Sequence, residues 1–406
     1  MRKTALFILI LTLFLGACVS QKNVPQQEAP LLATLPVTSV SSQPPIQTEI
    51  LPQVTQAISV QYRKTCIERF DASFVSRGFL FYKKGDPLFS RDFYRMNLID
   101  SQLLAIDDSV SSMPRSISPD GKRYFAYEQD ENGLFLHINS FDGTEISRLK
   151  WDSSWGDVVH LSWLNADQLS VLAHSPGSTS EYQVIIFSAT LSDPQILKPD
   201  MPKSLSSLAP MIYFHPDLNK AVYISGIFFV LWDAQSQDDI WQKQGVNYSL
   251  LPGGWSPDGQ WFAMSIIREG SEISEIFMVD PYGQEQQLTF LAESFPSTRK
   301  VYLLQMQWSP DGKHIAYTYF LEGGDVNSRL SNLAVVDIAS QTTIDYCVKL
   351  HQDGQLVWSP DGKQLAFTTL LDDGTNPFAV VLDIEDGSAK ILLENAFPLG
   401  WMLSGK

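Results

Sequence analysis

The chain has 406 residues, of which 44% are hydrophobic, 12% aromatic and only 18% charged, so it can bury a core and is not a disordered polyelectrolyte. A formal net charge of −16 repels phosphate backbones and anionic headgroups, which excludes nucleic acid as an expected partner and leaves cationic partners, or neutral ones bound locally. Length alone would allow two or three average domains, but all-β repeat bodies run longer, so the internal pattern must decide.

Residues 1–17 open with Arg2 and Lys3, followed by an apolar run from Ala5 to Leu11 that continues past Thr12 to Leu15. That run is short for a bilayer span and reads as the h-region of a secretory signal. The next residues, Leu15-Gly16-Ala17-Cys18, resemble the bacterial lipobox. The resemblance implies that the Cys18 thiol receives diacylglycerol, and that the mature chain is extracytoplasmic and lipid-anchored to a bacterial membrane, the cell membrane or the outer membrane. Several acyl chains, at about 0.8 kcal/mol per buried methylene, hold a protein firmly. The alternative is an ordinary signal peptide that happens to contain a cysteine.

Residues 18–56 follow Cys18 with a stretch rich in Pro, Gln, Ser and Thr, with prolines at 25, 30, 36, 44, 45 and 52 and no apolar periodicity. Such a segment buries too little to offset its ordering entropy and reads as a disordered tether. Residues 57–75 read as a lead-in to the folded body, which occupies 76–406.

In that body one pattern recurs: an apolar anchor, Ser-Pro-Asp-Gly, a polar residue or two, then an apolar strand. The clear copies begin at Ile117, Trp255, Trp308 and Trp358, with their turns at Asp120-Gly121, Asp258-Gly259, Asp311-Gly312 and Asp361-Gly362. Phe214-His215-Pro216-Asp217 and Trp163-Leu164-Asn165 stand where degenerate copies are needed, and Trp401 completes a series of seven anchors spaced by 41 to 53 residues. This spacing predicts four-stranded blades with variable loops. The turn residues have a local role: proline presets φ, aspartate accepts backbone N–H groups, and glycine takes the positive φ that reverses the chain. Because these aspartates recur once per blade, they lie apart around a ring and are not read as metal ligands.

These motifs resemble the TolB-like β-propeller family, related in shape to tryptophan-aspartate (WD40-like) repeat propellers, over about residues 76–406. The resemblance implies an all-β fold of four-stranded blades, with seven as the first expectation and six plus a capping strand as the alternative. Gly78–Tyr82, Phe93–Ile99 and Gln102–Ile106 read as the second to fourth strands of a blade whose first strand is Phe397–Leu403, so the chain ends would close the ring. TolB has an additional N-terminal α/β domain, six blades and no lipid, so its partners are not carried over.

Cys66 and Cys347 remain after Cys18, and an even pair in an oxidising compartment suggests a disulfide, with two separate thiols as the alternative. Propellers bind ligands where loops meet around the channel. The loops entering the inner strands place Trp155, Asp157, His160, Tyr248, Arg299, Tyr302, His351 and Asp353 as candidate binding residues. Of the six histidines only His160 and His351 fall near inner-strand entrances, too few for a mononuclear metal site, so neither a metal nor another cofactor is expected. Hydrolase-elbow, zinc-protease, dinucleotide and phosphate-loop motifs are missing, and no catalytic residue is assigned. The leading expectation is a binding or scaffolding propeller for an envelope protein, peptide or glycan. Alternatives are a carbohydrate lyase or hydrolase working at the channel mouth, and a purely structural envelope lipoprotein.

Overall fold

The computed structural model describes residues 62–403 apart from 72, 74, 86–92, 106–115, 141, 179–180, 193, 198–211, 245–250, 269, 296–299, 322–329, 352–353 and 371–375. The leader, Cys18 and the tether lie outside the described residues.

The described chain is built of short antiparallel strands in groups of four. A first strand, β1 (Tyr62–Lys64), precedes β2 (Phe79–Lys84), β3 (Phe93–Asn97) and β4 (Leu103–Ala105). Then come β5 (Ser116–Ile117), β6 (Arg123–Asp130), β7 (Gly133–Ser140) and β8 (Glu145–Lys150), followed by β9 (Val158–Asn165), β10 (Gln168–His174), β11 (Tyr182–Ser188) and β12 (Gln195–Leu197). The next groups are β13 (Ile212–Phe214), β14 (Lys220–Ser225), β15 (Phe228–Asp233) and β16 (Asp239–Gln244), then β17 (Leu251–Trp255), β18 (Phe262–Ile267), β19 (Ser274–Val279) and β20 (Glu285–Gln287). After a one-turn helix α1 (Leu291–Ser294) come β21 (Val301–Trp308), β22 (His314–Leu321), β23 (Leu330–Asp337) and β24 (Thr343–His351). The last strands are β25 (Val357–Trp358), β26 (Gln364–Leu370), β27 (Pro377–Asp383), β28 (Ala389–Glu394) and β29 (Ala396–Met402).

This is a β-propeller of four-stranded blades, but not seven separate sheets as the anchor count predicts. Five four-stranded sheets stand alone, while β21 to β28 share one nine-stranded sheet with β1. The physical reason is local: β24 runs long enough for Leu350 to pair with Thr369 of β26, bridging two groups that would otherwise be independent. The C-terminal β29 pairs antiparallel with β2, with Leu80 opposite Trp401, so one sheet takes its inner strand from one end of the chain and its outer three from the other.

The core lies between sheets rather than within any one of them. Val222, Phe229 and Leu231 of β14 and β15 pack on Phe262, Met264 and Phe277 of β18 and β19. Middle strands are therefore covered on both faces, and β18 and β19 are buried at every position. Continuous apolar runs, not strict alternation, are the sequence signature of such strands.

The turns after the inner strands share one hydrogen-bond pattern. In Ser118, Ser256, Ser309 and Ser359 the hydroxyl donates to the Oδ1 of the aspartate two residues on, at 2.5–2.7 Å. The same hydroxyl accepts the backbone N–H five residues on, at 2.8–3.0 Å. Each aspartate in turn accepts the N–H of the residue two further on. His215 and Leu218 take the serine and glycine places in the degenerate copy: His215 Nδ1 lies 2.6 Å from Asp217 Oδ1, and Leu218 adopts φ +63.

Candidate functional site

The inner strands line a channel-like cavity of about 720 Å³. Strands β5, β9, β13, β17, β21, β25 and β29 each contribute to its wall. Their twist and spacing are held by a repeated bond: the indole N–H of one anchor tryptophan donates to a carbonyl of the preceding inner strand. Trp255 donates to Tyr213 at 2.8 Å, Trp308 to Gly254 at 3.1 Å and Trp358 to Gln307 at 3.0 Å. Trp401 breaks the pattern and donates to Arg77 at 2.8 Å, because its sheet is assembled from the two chain ends.

The chemistry of the wall is uniform in one respect. Among the described residues lining the cavity there is no Asp, Glu, Lys or Arg; hydrogen-bonding capacity comes from Gln305, Gln307, Gln355, Ser162, His160 and backbone carbonyls. Leu304, Leu356 and Leu399, with the prolines of the turns, supply apolar surface. The Gln305 side-chain N–H donates to the Gly354 carbonyl at 2.8 Å, which fixes the amide and leaves its oxygen as an acceptor. His160 faces solvent within the channel, yet the surrounding protein desolvates it and lowers its pKa below the ordinary imidazole value. The Tyr213 hydroxyl is pushed up from its usual value by the same cause.

Of the candidate loop residues, Trp155, Asp157, His160, Tyr302 and His351 fall among the described residues. His160, on β9, lines the cavity, whereas Trp155, Asp157, Tyr302 and His351 do not. Trp155 ends a 3-10 turn and packs edge-on against Trp151 and Phe187, a core role. Asp157 is exposed and its carbonyl accepts the His174 N–H at 2.9 Å. Tyr302 pairs with Phe320 across β21 and β22. His351 closes β24, its ring 5.6 Å from that of Phe397. Tyr248, Arg299 and Asp353 lie outside the described residues. Among the described residues no three His, Cys, Asp or Glu side chains converge as metal ligands. His137 sits on β7, the third strand of its sheet, with Nδ1 2.8 Å from Glu145.

Apart from His160, the cavity wall is not among the sequence candidates, because most of it is made of strand positions rather than loops. The signal is present in the anchors themselves: the residues preceding Trp308 and Trp358 on their strands, Gln307 and Val357, line the cavity.

No family model and no curated protein matches the chain. Solved structures do match. They include TolB from Acinetobacter baumannii, at 16% identity and a TM-score of 0.41 over 77% of this chain and 79% of that one. The β-propeller domain of the Trilobed protease from Pyrococcus furiosus is similar at 14% identity and a TM-score of 0.45, covering 79% and 94%. An oligogalacturonate lyase in complex with manganese is similar at 13% identity and a TM-score of 0.43, covering 77% and 85%. Values this low assign no activity to the chain.

Proposed function

We propose that the chain is an extracytoplasmic, lipid-anchored protein whose TolB-like propeller is a binding or scaffolding module for an envelope protein, peptide or glycan. In this reading residues 1–17 are the signal, Cys18 carries the lipid, 18–56 are the tether, and the nine-stranded sheet counts as two blades of a closed seven-bladed ring. The observation that supports binding is the channel wall: an uncharged lining inside a chain of net charge −16. A charged ligand would lose its hydration there without gaining a counter-charge, whereas a neutral segment carrying amide or hydroxyl groups meets glutamine side chains and carbonyls.

The test is photo-crosslinking in intact cells from an unnatural residue at Leu304 or Gln355, with mass spectrometry of the captured species. Capture of one envelope component from both channel positions, and not from Tyr282 on the outer surface, supports the reading. Equal labelling from all three positions removes it. Fractionation of a Cys18→Ala variant tests the anchor separately, since retention in the membrane fraction would overturn lipidation at that residue.

A further inference from the structure

The segment read as a lead-in has structure of its own. Strand β1 lies parallel to β24, the outer strand of its group, with Tyr62 opposite Thr343 and Lys64 opposite Asp345. The Thr65 and Ile67 N–H groups continue the ladder onto the Asp345 and Tyr346 carbonyls at 2.8 and 3.2 Å. Ile67 and Phe70 then pack on the apolar cluster around Tyr346 and Leu382, and the Phe70 carbonyl accepts the Ile391 N–H at 3.2 Å. The segment is thus a strap across the rims of the two groups that share the nine-stranded sheet.

One covalent bond secures it. Cys66 and Cys347 form a disulfide, with their Cα atoms 4.7 Å apart. Two features set this bond apart from a buried staple. Both cysteines are exposed. Cys347 also has φ +56, a left-handed conformation unusual for a residue with a side chain, in a stretch where β24 bulges out of register with β23. Beneath the strap, Tyr62 and Tyr319 both donate to Asp345 Oδ2 at 2.8 Å, and the Cys347 N–H donates to Oδ1 at 2.8 Å. If Tyr62 left, the buried Asp345 carboxylate would keep two donors from its own group of strands, so the blade can survive the loss of the strap.

We propose that Cys66–Cys347 is a thiol–disulfide exchange site, and that its reduction by a dithiol releases the strap from β24 while the propeller stays folded. A thiolate of the dithiol attacks the sulfur of one of the two exposed cysteines, the protein S–S bond breaks, and the other cysteine leaves as a thiolate that takes a proton from water. The second thiol of the reductant then displaces the mixed disulfide. The protein gains two electrons and two protons as Cys66 and Cys347 thiols, and the dithiol leaves as its own disulfide. Release exposes the edge of β24 and moves the first fixed point of the described chain from Tyr62 to Arg77, whose carbonyl accepts the Trp401 indole N–H.

Hydrogen exchange of the full-length chain, with and without dithiothreitol and with thiols at 66 and 347 counted by alkylation and peptide mapping, tests this. Release predicts that peptides covering 62–71 and 343–348 lose protection by about tenfold or more, with β10, β14 and β18 unchanged. A Cys66→Ser/Cys347→Ser variant without reductant should show the same local loss. Three results would overturn the proposal: no free thiols under dithiothreitol, full protection of the strap once the thiols are free, or loss of protection in every blade together. The last would make the bond a global staple.

Discussion

His215 and Gly259 meet across neighbouring turns: the imidazole Nε2 lies 2.8 Å from the Gly259 carbonyl oxygen. The contact is one of several between turns of different groups of strands. A Cβ on Gly362 would stand 2.9 Å from Asp311 Oδ1, and one on Gly121 2.8 Å from Pro360. The Gly121 carbonyl also accepts the N–H of Leu403, the residue after β29, at 2.9 Å.

These contacts separate two costs of losing glycine. Gly259 and Gly312 have φ of +71 and +70, so alanine at either carries the same backbone penalty, about 1–2 kcal/mol. A Cβ at 259 would also stand 2.6 Å from His215 Nε2, whereas at 312 its nearest neighbour is 3.7 Å away. Urea denaturation is expected to show Gly259→Ala less stable than Gly312→Ala by about 1 kcal/mol or more. Equal losses would mean the His215 contact contributes nothing.

The turn serines are buried because each hydroxyl has two partners. Ser309 is fully buried, donating to Asp311 and accepting from the His314 N–H at 2.9 Å. Ser309→Ala leaves an enclosed N–H without its acceptor, so it is expected to cost about 1–3 kcal/mol. Ser309→Thr, which keeps the hydroxyl, should recover part of that loss in the same denaturation experiment.

These turns were legible in the sequence because their determinants lie within five residues of one another. Even the degenerate copy at His215 is legible, since Asp217 still accepts the N–H two residues on while histidine stands in for serine. The strands following Trp255, Trp308 and Trp358 were legible for the same reason. What could not be read depends on partners distant in the chain: Tyr62 beside Thr343, Leu350 beside Thr369, and Gln305 and Gln355 on one cavity wall. No period marks such pairs. Trp155 shows a different limit: it is aromatic and near a turn, yet it packs on Phe187.

Glu275 gives the protein a pH dependence opposite in sign to that of a salt-bridged carboxylate. It is 3% exposed, and burial raises its pKa to about 7 despite hydrogen bonds from the Leu291 and Ala292 N–H groups and the Thr289 hydroxyl. Between about pH 4.5 and 7 the folded protein holds this proton and the unfolded chain does not. Stability from this group is therefore highest near pH 4.5 and falls as pH rises to 7, by about 3 kcal/mol in total. Denaturation midpoints across that range should show the decline. Glu275→Gln should remove this contribution, and an unchanged pH slope in the variant would assign the dependence to other groups.

The channel makes the sharpest functional test, because one wall position can be charged without disturbing the core. Leu304 lies on the cavity wall but is 44% exposed, so Leu304→Glu introduces a carboxylate into an uncharged site at little cost in stability. Leu103, 47% exposed and not on the cavity wall, provides the matched control Leu103→Glu. If the channel binds a neutral segment, the new charge must either desolvate against it or hold water in the channel. Capture from a crosslinker at Gln355 should then fall roughly tenfold or more in Leu304→Glu and stay unchanged in Leu103→Glu, with thermal midpoints of both variants near that of the parent. Undiminished capture by a folded Leu304→Glu protein would move the binding site off the channel and back to the outer loops.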